Sequence, residues 1–387
     1  FEGQGDAESA LAAMKDASNY ARGHLSRDAV RALYGGAVTL SASRMDMARS
    51  CHFAYFMRYG LKARERTGAG FDAPQIGTFV HDVMEHTLRQ AKECGGLHTL
   101  SKDKLHALVR ASIEEYIDRV LPDLSEKSAR FRYLFNRLCA AVERIMDEVS
   151  EELQSSDFEP LAFELAFGAD GQLPAITIRE ENGTARVVGK VDRVDGWLHD
   201  GKLYLRVVDY KTGKKSFDLA ELRYGLGLQM LLYLFTLKEE GRALFGGHEI
   251  VPAGVLYTPA REPMLRCARD TEPEKIEKEL KKELRRSGMV LEDPAVLQAM
   301  EHSALESPCY LPIAVKKDGA VTGSLASAEQ LGKLSKYVDH ILHEITKEVF
   351  AGNIDADPYA RTPQQSACTY CEFASACHFE NGCGSDR

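Results

Sequence analysis

Asp209 and Lys211 stand two residues apart at the end of an apolar, β-branched run, Val207-Val208-Asp209-Tyr210-Lys211. Strand side chains alternate between faces, so this pair puts a carboxylate beside an ammonium on one side. A second acid, Asp192, lies on the preceding strand-like run, Gly189-Lys190-Val191-Asp192-Arg193, and the turn dipeptide Asp200-Gly201 falls between the two. Pairing through that turn brings both carboxylates to one edge of a sheet. Two hard oxygen ligands there suit Mg2+ or Mn2+. Such an ion polarises a phosphodiester and makes hydroxide available near neutral pH. Lys211 would orient the attacking water and stabilise charge in the transition state. An isolated acid-x-Lys is ordinarily a solvent-facing ion pair. Here Gly213 lets the backbone turn, and Gln229 and Tyr233 sit four apart on one face of an otherwise apolar helix, where polar groups need a partner. His81, in Gly77-x-x-x-His81, could complete a metal shell as a neutral imidazole. Glu164 is a weaker ligand candidate, and Glu85 reads as part of a solvated face.

A second set of chemistry-bearing residues is spread over the whole chain. Cys51 lies near the start, and Cys368, Cys371 and Cys377 form C-x2-C-x5-C near the end. The cysteine count is nine, odd, with no secretory pattern, which points to reduced thiols or metal ligands and to a cytoplasmic setting. Structural zinc usually uses two short paired spacings; this chain offers one pair and two single cysteines, which leans toward an iron–sulfur cluster while leaving zinc open. Closing the 317-residue span from Cys51 to Cys368 would remove denatured-state freedom worth roughly 5–6 kcal/mol as an upper limit. Cys383 is the nearest competitor as a ligand. Cys94, Cys139, Cys267 and Cys309 read as packed or idle thiols.

The elements that must position these groups follow from periodicity. The chain has 387 residues, enough for a large single core or two to three domains, and a net charge of −9, which argues against a global nucleic-acid-binding surface while a local basic groove is compatible. No apolar run approaches the ~20 residues of a membrane span, and the opening Phe1-Glu2-Gly3-Gln4 is not a signal peptide. Residues 1–40 read as a helical extension. Ser43-x-x-Asp46 has capping-box spacing ahead of a helix, and 67–70 is a loop. Residues 77–90, 104–120, 131–153, 219–238, 274–286 and 326–349 read as helices. Residues 161–167, 176–179, 186–194, 203–211 and 251–257 read as strands, with turns at Asn182-Gly183 and Asp200-Gly201. An α/β core therefore sits between helical segments: 41–160 helical, 161–260 catalytic, 261–350 a helical insertion and final helix, and 351–387 the cysteine segment.

Taken together, Gly77-x-x-x-His81, Gly189-x-x-Asp192-Arg193, Val208-Asp209-Tyr210-Lys211-Thr212-Gly213 and Gln229-x-x-x-Tyr233 resemble the RecB-like branch of the PD-(D/E)xK nucleases. The resemblance implies a restriction-endonuclease-like α/β core, a mixed sheet flanked by helices. It implies metal ligation by His81, Asp192, Asp209 and the Tyr210 carbonyl, catalysis by Lys211, and support by Gln229 and Tyr233. One upstream cysteine with a downstream C-x2-C-x5-C resembles the [4Fe-4S] staple of AddB-type subunits. Ser41-x-Ser43, His52-Phe53-x-Tyr55-Phe56 and the stretch 288–293 followed by Met300 are similar to that family too. It then implies a C-terminal nuclease domain cut from a longer helicase-like chain. Such a domain cuts one strand of unwound DNA at double-strand breaks, in partnership with an AddA-type helicase-nuclease. No G-x-x-x-x-G-K-[ST] occurs, so ATP hydrolysis by this polypeptide is not expected. Lys211, Lys214, Lys215 and Lys62-x-Arg64-x-Arg66 are the expected local phosphate contacts. A DNA-binding module without catalysis, stapled by iron–sulfur or zinc, is the competing reading.

Overall fold

A computed structural model describes residues 5–17, 22–64, 73–168, 171–268, 270–362 and 364–379. The loop at 67–70, Arg66 and Cys383 lie outside the described residues.

The strands, in chain order among the described residues, are β1 (Ala37–Leu40), β2 (Glu159–Phe167), β3 (Ile176–Glu180), β4 (Gly183–Val187), β5 (Gly189–His199), β6 (Lys202–Lys211), β7 (Glu249–Pro259), β8 (Ser287–Leu291), β9 (Ile313–Val315), β10 (Val321–Gly323), β11 (Leu325–Ala326), β12 (Ala360–Thr362) and β13 (Gln365–Ser366). Six of them form the central sheet in the order β11-β8-β7-β6-β5-β2. It is mixed: β2, β5 and β6 run antiparallel in sequence, and β6 pairs with β7 in parallel. A parallel neighbour needs a crossover. Here the helix Gln229–Glu240 supplies it, buried along its length from Met230 to Leu237.

β5 and β6 meet as expected through Asp200-Gly201, both with positive φ (48° and 75°). That is what a two-residue type I′ hairpin demands. Its register pairs Arg193 with Val208, so the next position outward sets Asp192 opposite Asp209.

The helix Ala73–Glu93 turns Phe79, Val80, Val83, Met84, Leu88 and Ala91 into the core. The helices Lys102–Val120 and Ala129–Gln154 pack beside it. Helix Ala328–Ala351 covers the small sheet β1-β4-β3. Among the described residues no helix is long and apolar enough to cross a membrane.

Four local expectations need correction. Residues 37–40 form β1, not helix, and pair in parallel with β4; so short a strand exists only through a distant partner. The single strand expected over 186–194 is two, because the chain changes sheets at Val188. The single helix expected over 219–238 is broken: Leu219–Leu222 ends, Gly225 and Gly227 take positive φ, and a new helix starts at Gln229. The helix Ala42–Ser50 has Ser41, not Ser43, at its N-cap position, and no side chain there makes a capping hydrogen bond. Asp46 instead accepts a hydrogen bond from the Gly227 amide, 2.9 Å away.

Candidate active site

The end of β6 and its neighbours gather every residue expected in the acidic site. Lys211 Nζ lies 2.5 Å from Asp209 Oδ2, on the same strand face. Asp209 is 3% exposed. Burial first, then the nearby Asp192 charge, pushes its carboxyl up to about 6 against the pull of Lys211. The Asp192 carboxylate accepts the Tyr210 amide at 2.8 Å, tying the two strands beyond their ladder. His81 comes in from its helix: Nε2 meets the Tyr210 carbonyl at 2.8 Å and Nδ1 faces Asp192 at 3.4 Å. A carbonyl can only accept, so Nε2 carries a proton. Burial alone would lower the His81 pKa; the bond to Asp192, its charge and the Tyr210 carbonyl outweigh that and raise it to about 9. These contacts favour the protonated form of His81 at the mouth of an acidic site.

Gln229, first residue of its helix, donates to Asp209 Oδ1 (3.2 Å) and to the Tyr233 hydroxyl (3.3 Å). Tyr233 in turn accepts the Lys190 amide at 3.4 Å. Its ring lies so close to Gly189 that a Cβ there would sit 2.5 Å from it, so glycine is required where Gly189-x-x-Asp192 begins. The polar pair on an apolar helix thus braces one carboxylate and one strand start. Tyr210 contributes only backbone to this face. Its ring points to the opposite side of the sheet, where its hydroxyl takes a 2.6 Å hydrogen bond from Arg193.

Glu164 is a weak candidate by sequence, yet the structure brings it in. His81, Glu164 and Asp192 offer donor atoms that all lie within 4.8 Å of one another. Glu164 has φ of 48° in mid-strand, a strained conformation for a non-glycine residue. Alternation alone gives no warning of that, which is why sequence reasoning undervalues the residue. Burial raises its pKa, and Lys190 pairs with it. Imidazole and carboxylate oxygens are the donor types a Mg2+- or Mn2+-class site uses, so the residues present fit a divalent ion. Glu85 pairs with Arg89 at 2.8 Å on its own helix, as a surface residue does.

The four cysteines also converge. Cys51, Cys368, Cys371 and Cys377 line one cavity of about 410 Å3, packed with Phe53 and Phe373. Burial pushes the Cys51 thiol up to about 11. The first and last segments are stitched there by backbone as well: Phe53 N to Asp355 O at 2.9 Å and Tyr359 N to Ser50 O at 2.7 Å. His52, 4% exposed, bonds Asp357 at 2.8 Å. The cavity and its thiol lining fit a sulfur-ligated group.

A mixed sheet with paired acids and a lysine at one strand end, backed by a histidine helix, is the nuclease arrangement. The chain belongs to the PD-(D/E)XK nuclease superfamily, whose family model matches residues 39–378. Among individual proteins, it is 34% identical over 355 residues to the B subunit of the ATP-dependent helicase/deoxyribonuclease of Caldanaerobacter subterraneus subsp. tengcongensis, covering 91% of this chain and 30% of that protein. The protein of the same name from Acetivibrio thermocellus is 34% identical over 360 residues, covering 92% and 31%. That from Ruminiclostridium cellulolyticum is 32% identical over 386 residues, covering 98% and 33%. The chain thus spans about a third of the length of the curated relatives it matches.

Proposed function

We propose that this chain is a divalent-metal-dependent deoxyribonuclease module acting on single strands in the end processing of DNA breaks. It would work in the cytoplasm within an AddB-like subunit, paired with an AddA-like helicase-nuclease. The observation that carries the reading is the meeting of His81, Asp192, Asp209 and Lys211 around the Tyr210 carbonyl. His81, Asp192, Asp209 and that carbonyl would hold Mg2+ or Mn2+, with Glu164 as a further carboxylate. A bound ion supplies Lewis acidity to the phosphodiester and lowers the pKa of water beside it. His81 must give up its proton to ligate. Lys211 holds the attacking water against Asp209 and neutralises charge growing on the phosphate. Gln229 fixes the Asp209 carboxylate in one rotation, and Tyr233 fixes Gln229.

Cys51, Cys368, Cys371 and Cys377 would hold a [4Fe-4S] cluster. A tetrahedral zinc with Zn–S near 2.3 Å needs sulfurs about 3.8 Å apart. All four cysteines line one cavity of about 410 Å3. One short pair with two single cysteines and that shared cavity support a multi-iron group, with a structural role in joining the first and last segments.

The test is metal-dependent release of nucleotides from labelled single- and double-stranded DNA, with Lys211→Ala as control. Cleavage that needs Mg2+ or Mn2+ and vanishes in the control supports the reading. Equal cleavage by Lys211→Ala refutes it. A brown, visibly absorbing protein after anaerobic purification separates iron–sulfur from colourless zinc.

A further inference from the structure

Beside Lys211, away from the carboxylates, a cavity of about 360 Å3 opens between the loop after β6, the ends of β7 and β8, and the helix Pro273–Glu283. Five cations line it, Lys211, Lys214, Lys215, Arg261 and Arg285, against one acid, Glu283. In a chain with net charge −9 this is a local reversal of sign. Glu283 is shared, 3.3 Å from both Lys214 and Arg261. Lys211 already pairs with Asp209, and one carboxylate cannot neutralise the other four cations. Arg261 Nε is buried and has no hydrogen-bond partner, and Lys215 makes no ion pair among the described residues. The rim is preformed: the Phe217 amide donates to Ser287 Oγ at 2.8 Å, and the Ala260 amide to the Lys211 carbonyl at 2.9 Å.

We infer that this cavity is a phosphate subsite for the strand being cut, receiving the phosphodiester of a nucleotide flanking the scissile bond. The inference rests on the nuclease reading and adds to it the direction in which the strand leaves Lys211. Lysines and arginines there contact backbone phosphates, so the subsite positions without reading sequence. Glu283 occupies the phosphate's place in the free protein by pairing with Lys214 and Arg261. Incoming phosphate takes over those two cations.

The experiment is binding of fluorescein-labelled oligothymidylate in EDTA, where no cutting occurs, as a function of salt. Lys214 and Lys215 are exposed, so Lys214→Ala/Lys215→Ala leaves the fold intact. It is expected to weaken binding roughly tenfold at low salt and to flatten the slope of log K against log salt by about 0.7 for each phosphate left without a cation. Glu283→Gln is expected to tighten binding two- to threefold on the same release of cations, a gain that damage to the fold would not produce. Unchanged affinity and slope in the double variant, or weaker binding in Glu283→Gln, overturns the subsite. A wild-type chain that binds no oligonucleotide in EDTA also overturns the subsite, whereas one that releases no nucleotides in Mg2+ or Mn2+ overturns instead the nuclease reading on which the subsite stands.

Discussion

The hairpin β5–β6 carries charged residues on both faces, and the two faces treat them in opposite ways. On one, Asp192, Asp209 and Lys211 stand at an opening with His81, and among the described residues Asp209 Oδ2 has no partner beyond its ion-pair contact with Lys211. On the other, Arg193, Asp195 and Arg206 are 0% exposed. Arg193 and Arg206 both reach Asp195, at 2.8 Å each. Glu152, from the helix Ala129–Gln154, meets Arg206 at 3.5 Å and Arg286 at 2.6 Å. Three guanidinium groups face two carboxylates, and the excess is spread onto rings: Arg206 over Phe158 (5.2 Å) and Arg286 over Tyr310 (4.7 Å). Neighbouring charged residues on one strand, Asp192 beside Arg193, therefore have different tasks. Next to an opening, a carboxylate paired with a single lysine stays available to a metal; in the core, a carboxylate held between guanidinium groups serves as a strut.

The largest effect expected is on the open face. Asp209→Asn and Lys211→Ala should each lower the cleavage rate about a thousandfold or more, since on the proposed function the first weakens a metal ligand and the second removes the cation that would face the reacting phosphate. Denaturant melts should move little, because Lys211 is partly exposed and Asp209 gains from losing a charge that burial opposes. A variant that unfolds, or one that still cuts, would make the two faces alike and break the contrast.

The buried face should answer the other way. Glu152→Gln strands Arg206 and Arg286, and losing one side of a buried charge cluster costs about 3–5 kcal/mol; a urea titration reads it directly. Burial alone would raise the Glu152 pKa, but Arg286, Arg206 and Arg193 overcome that and lower it to about 2 from an ordinary 4.5. A depressed folded-state pKa stabilises above the unfolded value and is lost as pH falls through the folded one. Wild type and Glu152→Gln should therefore differ most above about pH 4.5 and converge toward pH 2. Stability curves that stay parallel down to pH 2 would show that Glu152 is not an ionised strut.

The open face is the more legible in sequence. Alternation puts Asp209 and Lys211 together, and Asp200-Gly201 sets the register that faces Asp192. The buried face is not legible: Asp195 and Arg206 look like any charged strand residues, and their partners Glu152 and Arg286 lie 134 residues apart. Glu164 is undervalued because positive φ in a strand leaves no compositional mark. β1 escapes a sequence reading because its four residues acquire strand character only from β4, far along the chain. The break before Gln229 is written in Gly225 and Gly227, but the apolar run around them masks it. Local periodicity carries information about neighbours in sequence, and these features are all made by neighbours in space.

The smallest effect tests whether the faces communicate. Tyr210 belongs to both: its amide and carbonyl hold Asp192 and His81, and its phenol takes the Arg193 hydrogen bond. Tyr210→Phe keeps the ring and every backbone contact, and removes only that hydroxyl. Arg193, 0% exposed, then loses one acceptor in a site closed to solvent, which costs about 1–3 kcal/mol in a denaturant titration. If the buried cluster fixes the tilt of this peptide, the carbonyl facing His81 loosens as well, and the cleavage rate should fall a few-fold with DNA affinity unchanged. A stability loss with full activity would mean that the strand backbone alone sets the carbonyl, and that the buried charges serve the core and not the chemistry.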